Sequence, residues 1–195
     1  MSNLFQNLEM EAFRKGITPR TQESREWFRK KAQSMRRVNR NQIMKEEPIE
    51  LVGKFQPGAM AMFFYNPKTK DKLPYYDSFP LTIIVDSAPG GFYGLNLHYL
   101  PPILRAKFLD VLLDNTNNKA YDEKTRFAVN YNYLKKSART KYFAPCFKHY
   151  LTDHVKSRFA IVPAPEWEIA TFLPLADWQK SSGSKVYADS RRMLG

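Results

Sequence analysis

The stretch Gly90–Pro102, GGFYGLNLHYLPP, decides how the middle of the chain folds. Two glycines lead into a mixed aromatic run that carries one of three histidines, and two prolines close it. Glycine, asparagine and histidine together suit either a phosphate cradle or a hairpin strand. At period two, Tyr93, Leu95, Leu97 and Tyr99 share one face, and Phe92, Gly94, Asn96 and His98 share the other. The first set is a core face. The second is half-polar and keeps a small residue, Gly94, in its middle. Gly90 and Gly91 stand where a tight turn needs positive φ. The chain has no G-x-G-x-x-G or G-x-x-x-x-G-K spacing, so the cradle lacks its pattern. The run reads as a hairpin strand, with Asn96 and His98 in surface or packing roles or, as the alternative, in contact with a partner.

Two similar runs precede it. AMAMFFYN (59–66) and FPLTIIVDS (79–87) are rich in aromatic and β-branched residues and are bounded by Pro, Gly, Asn and Asp. The polar segment PKTKDKLPYYDS links them, and Ala88-Pro89-Gly90-Gly91 turns the second into the third. After Pro101-Pro102 the pattern becomes helical. ILRAKFLDVLLD places Ile103, Leu104, Phe108, Val111 and Leu112 on one side, with Arg105, Lys107 and Asp114 away from it. A second helix is expected over 122–138, with Phe127, Tyr131 and Leu134 inward. APCFKHYLTDHV (144–155) reads as a short helix and SRFAIVP (157–163) as a strand. PEWEIATFLP (165–174) reads as a helix opened by proline. The fold class is therefore α+β: a small twisted antiparallel sheet or SH3-like barrel flanked by helices.

Upstream, TQESREWFRKKAQSMRRVNRNQIMK (21–45) has neither Gly nor Pro, and Thr21 and Ser24 are plausible N-caps. Phe28, Ala32 and Met35 form a narrow stripe on an otherwise basic helix. The chain divides into a basic helical arm at 1–49, a core domain at 50–178 and a flexible tail at 179–195 beginning near SSGS.

At 195 residues with 43% hydrophobic and 14% aromatic content, most of the chain should fold around one core. No apolar run approaches the roughly 18 residues of a membrane span. The N-terminal MSNLFQNLEMEAFRKG carries no signal-peptide pattern, so a soluble protein made in a cytoplasm is expected. The single cysteine, Cys146, permits no intrachain disulfide. The formal net charge is +12. Residues 14–45 hold eleven Lys or Arg against two Glu, and residues 105–158 hold twelve against five acids, so the excess is confined to two segments. Concentrated positive charge favours a polyanionic partner.

Chemistry is harder to find. Cys146, His149, Asp153 and His154 are the one group of metal-ligand types, but a structural zinc site needs four ligands, usually as two close pairs. No metal site and no cofactor is expected. No G-x-S-x-G occurs, and Cys146 has no local signature pairing it with a base. The acids are too scattered to hold a nuclease's divalent ions. Asp77, in PYYDSFP, reads as a loop residue, and Glu166 and Glu168 as acids at a helix start. No enzyme is indicated.

Binding is better supported. Basic groups neutralise phosphates, and basic residues interleave with aromatics over 124–158. Arg25, Arg29, Lys30, Arg36, Arg37 and Arg40 on the arm, with Lys135, Lys136, Arg139 and Lys141 on the domain, are the candidate contacts to duplex backbone. Trp27, Phe28, Tyr187 and Met193 are candidate anchors for docking onto protein neighbours.

Taken together, SREWFRKKAQSM, MFFYNPKTKDKLPYYDSFPLTIIV, GGFYGLNLHYLPPILRAKFLD, APCFKHYLTDHVKSRFAIVPAPEWEIATFLP and KVYADSRRML resemble small virion-associated proteins of contractile-tailed bacteriophages, most of all the DNA end-protector proteins. The likeness covers nearly the whole chain and brings no residue-level site with it. It implies a non-enzymatic protein carried with the packaged phage genome, present in the virion and in the host cytoplasm during assembly. Such a protein would shield linear duplex ends during packaging or injection. The alternative is a structural head, neck or baseplate component that docks onto other phage subunits through its arm and tail.

Overall fold

The computed structural model describes residues 4–35, 38–45, 50–116, 136, 143–163 and 166–194. Its strands are β1 (Glu50–Val52), β2 (Met60–Met62), β3 (Tyr76–Asp77), β4 (Leu81–Ala88), β5 (Gly91–Asn96), β6 (Phe147–Leu151), β7 (Phe159–Val162) and β8 (Trp178–Gln179). Six of them form a central antiparallel sheet in the order β1-β7-β2-β4-β5-β6. A separate ribbon pairs β3 with β8. The helices are α1 (Leu4–Arg14), α2 (Gln22–Ser34), α3 (Arg40–Ile43), α4 (Pro102–Thr116), α5 (Trp167–Phe172) and α6 (Gly183–Leu194). The sheet is open, so the fold is the twisted sheet with flanking helices, and the barrel alternative falls away.

The hairpin β4–β5 forms where the sequence pattern places it, with a register shift between Ile84 and Asp86. Ala88 faces Gly91 across the two-residue loop, and Gly90 takes φ +71, which glycine reaches without a Cβ clash. Gly91 answers to a different constraint. A Cβ there would lie 1.8 Å from the Tyr150 carbonyl oxygen of β6, so the two backbones approach too closely for any side chain. Gly91→Ala is expected to lower stability by about 1–3 kcal/mol through forced displacement of β6. The check is the urea midpoint against wild type.

Alternation along the strands gives the sheet two apolar faces. Met60, Met62, Leu81, Ile83, Val85, Leu95 and Leu97 belong to the larger core, into which the helices and their flanks send Phe5, Leu8, Phe28, Val38, Ile43, Phe108 and Phe172. The opposite face carries an aromatic cluster: Phe63, Phe92, Tyr150 and Phe159 surround one another, with centroid separations between 5.0 and 5.7 Å for their close pairs. Ring pairs at such distances each add about 0.5–1.5 kcal/mol beyond burial.

Several expectations need correction. The 144–155 segment is not a helix: Phe147–Leu151 pairs with β5 in the register Phe92↔Tyr150 and Gly94↔Lys148, and Tyr150 fills the aromatic face. The strand from Gly91 ends at Asn96, not at Leu100, because the Asn96 side chain accepts the His98 N–H and starts a 3-10 turn at Leu97–Tyr99. Helix α4 is rotated from its expected setting. Ile103, Leu104 and Val111 are exposed, whereas Arg105, Ala106, Phe108, Leu109 and Leu112 are buried. The basic helix stops at Ser34, and the Thr21–Ser24 capping box fixes its start. Helix α1, not among the expected elements, buries Phe5, Leu8 and Ala12, and residues 183–194 of the tail are helical, with Val186 buried. The expected helix over 122–138 lies outside the described residues except for Lys136, which is helical and exposed.

Candidate nucleic-acid interface

Asp77 is the best-connected side chain between the sheet and the β3–β8 ribbon. Its Oδ1 accepts the backbone N–H groups of Phe79 and Asp177, and its Oδ2 accepts Asn96 Nδ2 and His98 Nδ1, the last at 2.6 Å. Burial raises the carboxyl, but His98 and the other donors outweigh it and hold Asp77 below its usual range. Burial lowers His98 against the pull of Asp77. The imidazole is therefore neutral and gives its Nδ1–H to the carboxylate. Its Nε2 has no partner among the described residues, and an uncharged lone pair there costs less than an orphaned N–H of a buried imidazolium. The half-polar face of β5 is thus neither a surface nor a cradle. Asn96 and His98 hold the loop 67–78 to the sheet through Asp77, which is a buried hub and not a plain loop residue.

Arg105 is the second buried centre, 2% exposed. Its guanidinium donates to the carbonyls of Leu100, Thr171 and His98 and to the Tyr187 hydroxyl. Those carbonyls lie where the 3-10 turn and α5 end, so one fork satisfies several terminal acceptors. Tyr187, expected as a docking anchor, is spent on this bond.

Beside Asp77 lies a cleft of about 420 Å³ between the 65–76 loop and the β5–β6 side of the sheet. Asn96 of β5, Lys148 of β6, Tyr75 of the loop, Tyr76 of β3 and Ser190 and Met193 of α6 contribute to its wall. Lys180 pins the loop from behind, its ammonium donating to the carbonyls of Lys70, Asp71 and Leu73. The Lys148 ammonium stands 3.8 Å from the Tyr99 ring centroid, and burial lowers its proton affinity.

A second concavity, of about 370 Å³, runs between α2 and α4 and is lined by Arg25, Arg29 and Lys107, with Gln22, Glu26, Ile103 and Phe172. The structure therefore brings two of the expected phosphate-binding residues together with Lys107, to which periodicity alone gives only a place on the outer face of α4. Arg25 is tied to Asp110 of α4. Arg29, Lys30 and Lys107 are exposed and form no ion pair with a described residue.

The family model described as Phage T4 terminal DNA protecting protein matches residues 4–193. The chain belongs to that family. No curated protein and no solved structure matches it. The resemblance to phage end-protectors therefore extends over the whole described architecture, from α1 to α6.

Against that family background, the remaining expected residues separate clearly. Arg40 is committed to the fold: its Nε and Nη2 donate to the carbonyls of Leu175 and Ala176, with Asp177 nearby. Arg36, Arg37, Lys135, Arg139 and Lys141 lie outside the described residues, and Lys136 is exposed. Phe28 is buried against Phe172, leaving Trp27 half-buried beside it with Lys15 and Lys31 over its ring. Met193 is exposed at the cleft. Cys146 is buried, with its thiol pushed up to about 12, and it keeps its proton at neutral pH. His149 and His154 engage the Pro89 and Asn66 carbonyls. Glu168 is not merely a helix-start acid: it accepts the Ser24 hydroxyl and the Arg20 N–H, anchoring the start of α2.

Proposed function

We propose that the protein binds linear duplex DNA of a phage genome through its phosphates and shields the ends, without catalysing a reaction. The observation that carries this reading is the family match over residues 4–193. The α2–α4 groove supplies its chemistry: Arg29 and Lys107 present exposed cations on one surface, beside Arg25, which is paired with Asp110, and Lys30 lies adjacent in sequence to Arg29. Contacts from such cations to phosphates hold the backbone without reading bases. Arg36, Arg37, Lys135, Lys136, Arg139 and Lys141 would be further phosphate contacts, while Arg40 acts through the fold. The protein would travel in the virion and occur in the host cytoplasm during assembly.

The test is a salt titration of binding to a linear duplex. Arg29→Ala with Lys107→Ala should make the slope of log affinity against log salt shallower by about 1.8, at about 0.9 for each phosphate no longer neutralised. Protection of the duplex from an exonuclease should weaken in parallel. An unchanged slope would remove the groove from the interface. No binding by the wild-type protein at low salt would remove the reading itself.

A second reading, a structural virion component docking onto other phage proteins, is favoured by α1. Phe13 is 82% exposed there, and Met10 beside it is also exposed along an apolar groove that reaches Phe28. Association with a phage subunit that persists without DNA and disappears in Phe13→Ser would support it.

A further inference from the structure

The cleft beside Asp77 contains two polar groups without polar partners among the described residues. Lys148 forms neither an ion pair nor a hydrogen bond with them, and its ammonium rests on Tyr99. Ser190 is 2% exposed, and its hydroxyl is buried with no hydrogen-bond partner. Both line the same space of about 420 Å³, a size within the roughly 300–1,000 Å³ of small-ligand sites. Much of the remaining wall is proline and tyrosine. Tyr65, Tyr99 and Tyr150 are buried, whereas Tyr75 and Tyr76 are half-buried and keep ring surface for a ligand.

A cation, a free hydroxyl and flat ring faces together fit a nucleotide: phosphate to the cation and hydroxyl, base to the rings. The wall does little to read base edges. The Asn96 amide is spent on Asp77 and the His98 N–H, and the Tyr65 hydroxyl accepts the Leu151 N–H. Stacking without edge contacts tolerates any base. A base within a duplex would have to be unpaired and unstacked to enter, at about a few kcal/mol, and the cost is least where a base is already single-stranded. Strand termini fray, so they enter most readily.

We propose that this cleft receives the terminal nucleotide of a DNA strand, with its base against Tyr75 and Tyr76 and its phosphate on Lys148 and Ser190. This rests on the reading that the protein binds linear duplex DNA, and it adds the device that tells an end from an interior. The basic groove holds the backbone, and the cleft holds the end.

The experiment measures fluorescence anisotropy on two DNAs of equal length, one a hairpin with a single open end and the other a dumbbell closed at both ends. Wild type is expected to bind the open-ended DNA roughly tenfold more tightly, the worth of one stacked base. Lys148→Met and Tyr76→Ala should each abolish most of that preference and leave dumbbell affinity unchanged. Equal wild-type affinity for the two DNAs overturns the cleft proposal while leaving backbone binding standing; no binding to either overturns both. A preference that survives both variants also overturns the proposal. Tight binding of free deoxyadenosine monophosphate, with no preference for open ends, assigns the cleft to free nucleotides and overturns the strand-end assignment. Because Lys148 lies within β6, a second measurement uses the unaltered protein. Photocrosslinking through iododeoxyuridine at the terminal position should mark Tyr75, Tyr76 or Tyr99, and a crosslink confined to α2 or α4 refutes the proposal.

Discussion

Asp77→Ala is expected to lose about 3–5 kcal/mol of folding stability at neutral pH, measured by urea denaturation, because it strands a buried polar network. The backbone N–H groups of Phe79 and Asp177 and the side-chain N–H groups of Asn96 and His98 all lose their acceptor. Phe79, Asn96 and His98 are themselves buried, and water reaches the gap poorly. Asp77→Asn should cost less, about 1–3 kcal/mol. It keeps an acceptor for the two backbone donors but turns an NH₂ toward Asn96 and His98. His98 can answer only by changing tautomer, which moves its N–H to the partnerless Nε2.

The same network sets the acid response. Both folded-state affinities for protons are lowered, Asp77 by its partners against burial and His98 by burial against Asp77. In each case the unfolded chain binds protons more readily, so stability rises with pH and is lost on acidification. The His98 contribution begins to fade as pH falls below about 6.5, and the Asp77 contribution below about 3.9. Asp77→Ala should retain the first decline and lose the second. A wild-type protein whose stability is flat between pH 7 and pH 3 would contradict a neutral His98 bonded to an ionised Asp77.

This network also shows what a single sequence can and cannot disclose. The β4–β5 hairpin is legible because its determinants are local: a Pro-Gly turn and an alternation of side chains, interrupted in β4 only by a register shift between Ile84 and Asp86 that the pattern does not announce. Of the expected core face, Leu95 is buried and Tyr93 half-buried on the strand as the alternation predicts, whereas Leu97 and Tyr99 reach the core from the 3-10 turn. The meaning of the opposite face is not legible. Asn96 and His98 acquire their role from Asp77, some twenty residues away on a loop whose position depends on the β8 ribbon. Strand β6 is hidden for a related reason. The spacing of Cys146 and His149 suits a helical turn, and only pairing with β5 makes Tyr150 a core residue. Helix α1 does leave a signal, since Phe5, Leu8 and Ala12 recur at helical spacing and all are buried. On the binding surface, charge density points to Arg25 and Arg29. It offers no means of adding Lys107, which reaches them only because α4 packs across α2.

Arg105 is the residue on which charge patterning alone misleads most, and its replacement carries the other large effect. A basic residue on a helix normally faces water, yet here the helix turns it inward. Buried without a directly bonded carboxylate among the described residues, the guanidinium has burial as the main force lowering its proton affinity, while four oxygen acceptors hold it in place. Hydrogen bonds to a charged group contribute about 1.5–3 kcal/mol each, although those sharing one fork do not add. Arg105→Met fills the volume but leaves the carbonyls of Leu100, His98 and Thr171 without this donor, and about 3–5 kcal/mol should be lost. Arg105→Lys keeps the charge as a single point and cannot span the same acceptors, so it should fall between wild type and Arg105→Met. Tyr187 makes the effect spatially uneven. Its hydroxyl ties α6 to Arg105, and the same helix brings Ser190 and Met193 to the cleft. In Arg105→Met, hydrogen exchange within 183–194 should therefore accelerate more than exchange within β4 and β5, and trypsin should cut after Arg191 sooner. Preference for an open DNA end should decline with the docking of α6, while the α2–α4 groove continues to hold backbone. Uniform acceleration across the sheet and α6 would instead mean that Arg105 supports the whole core, with no special hold on the helix that closes the cleft.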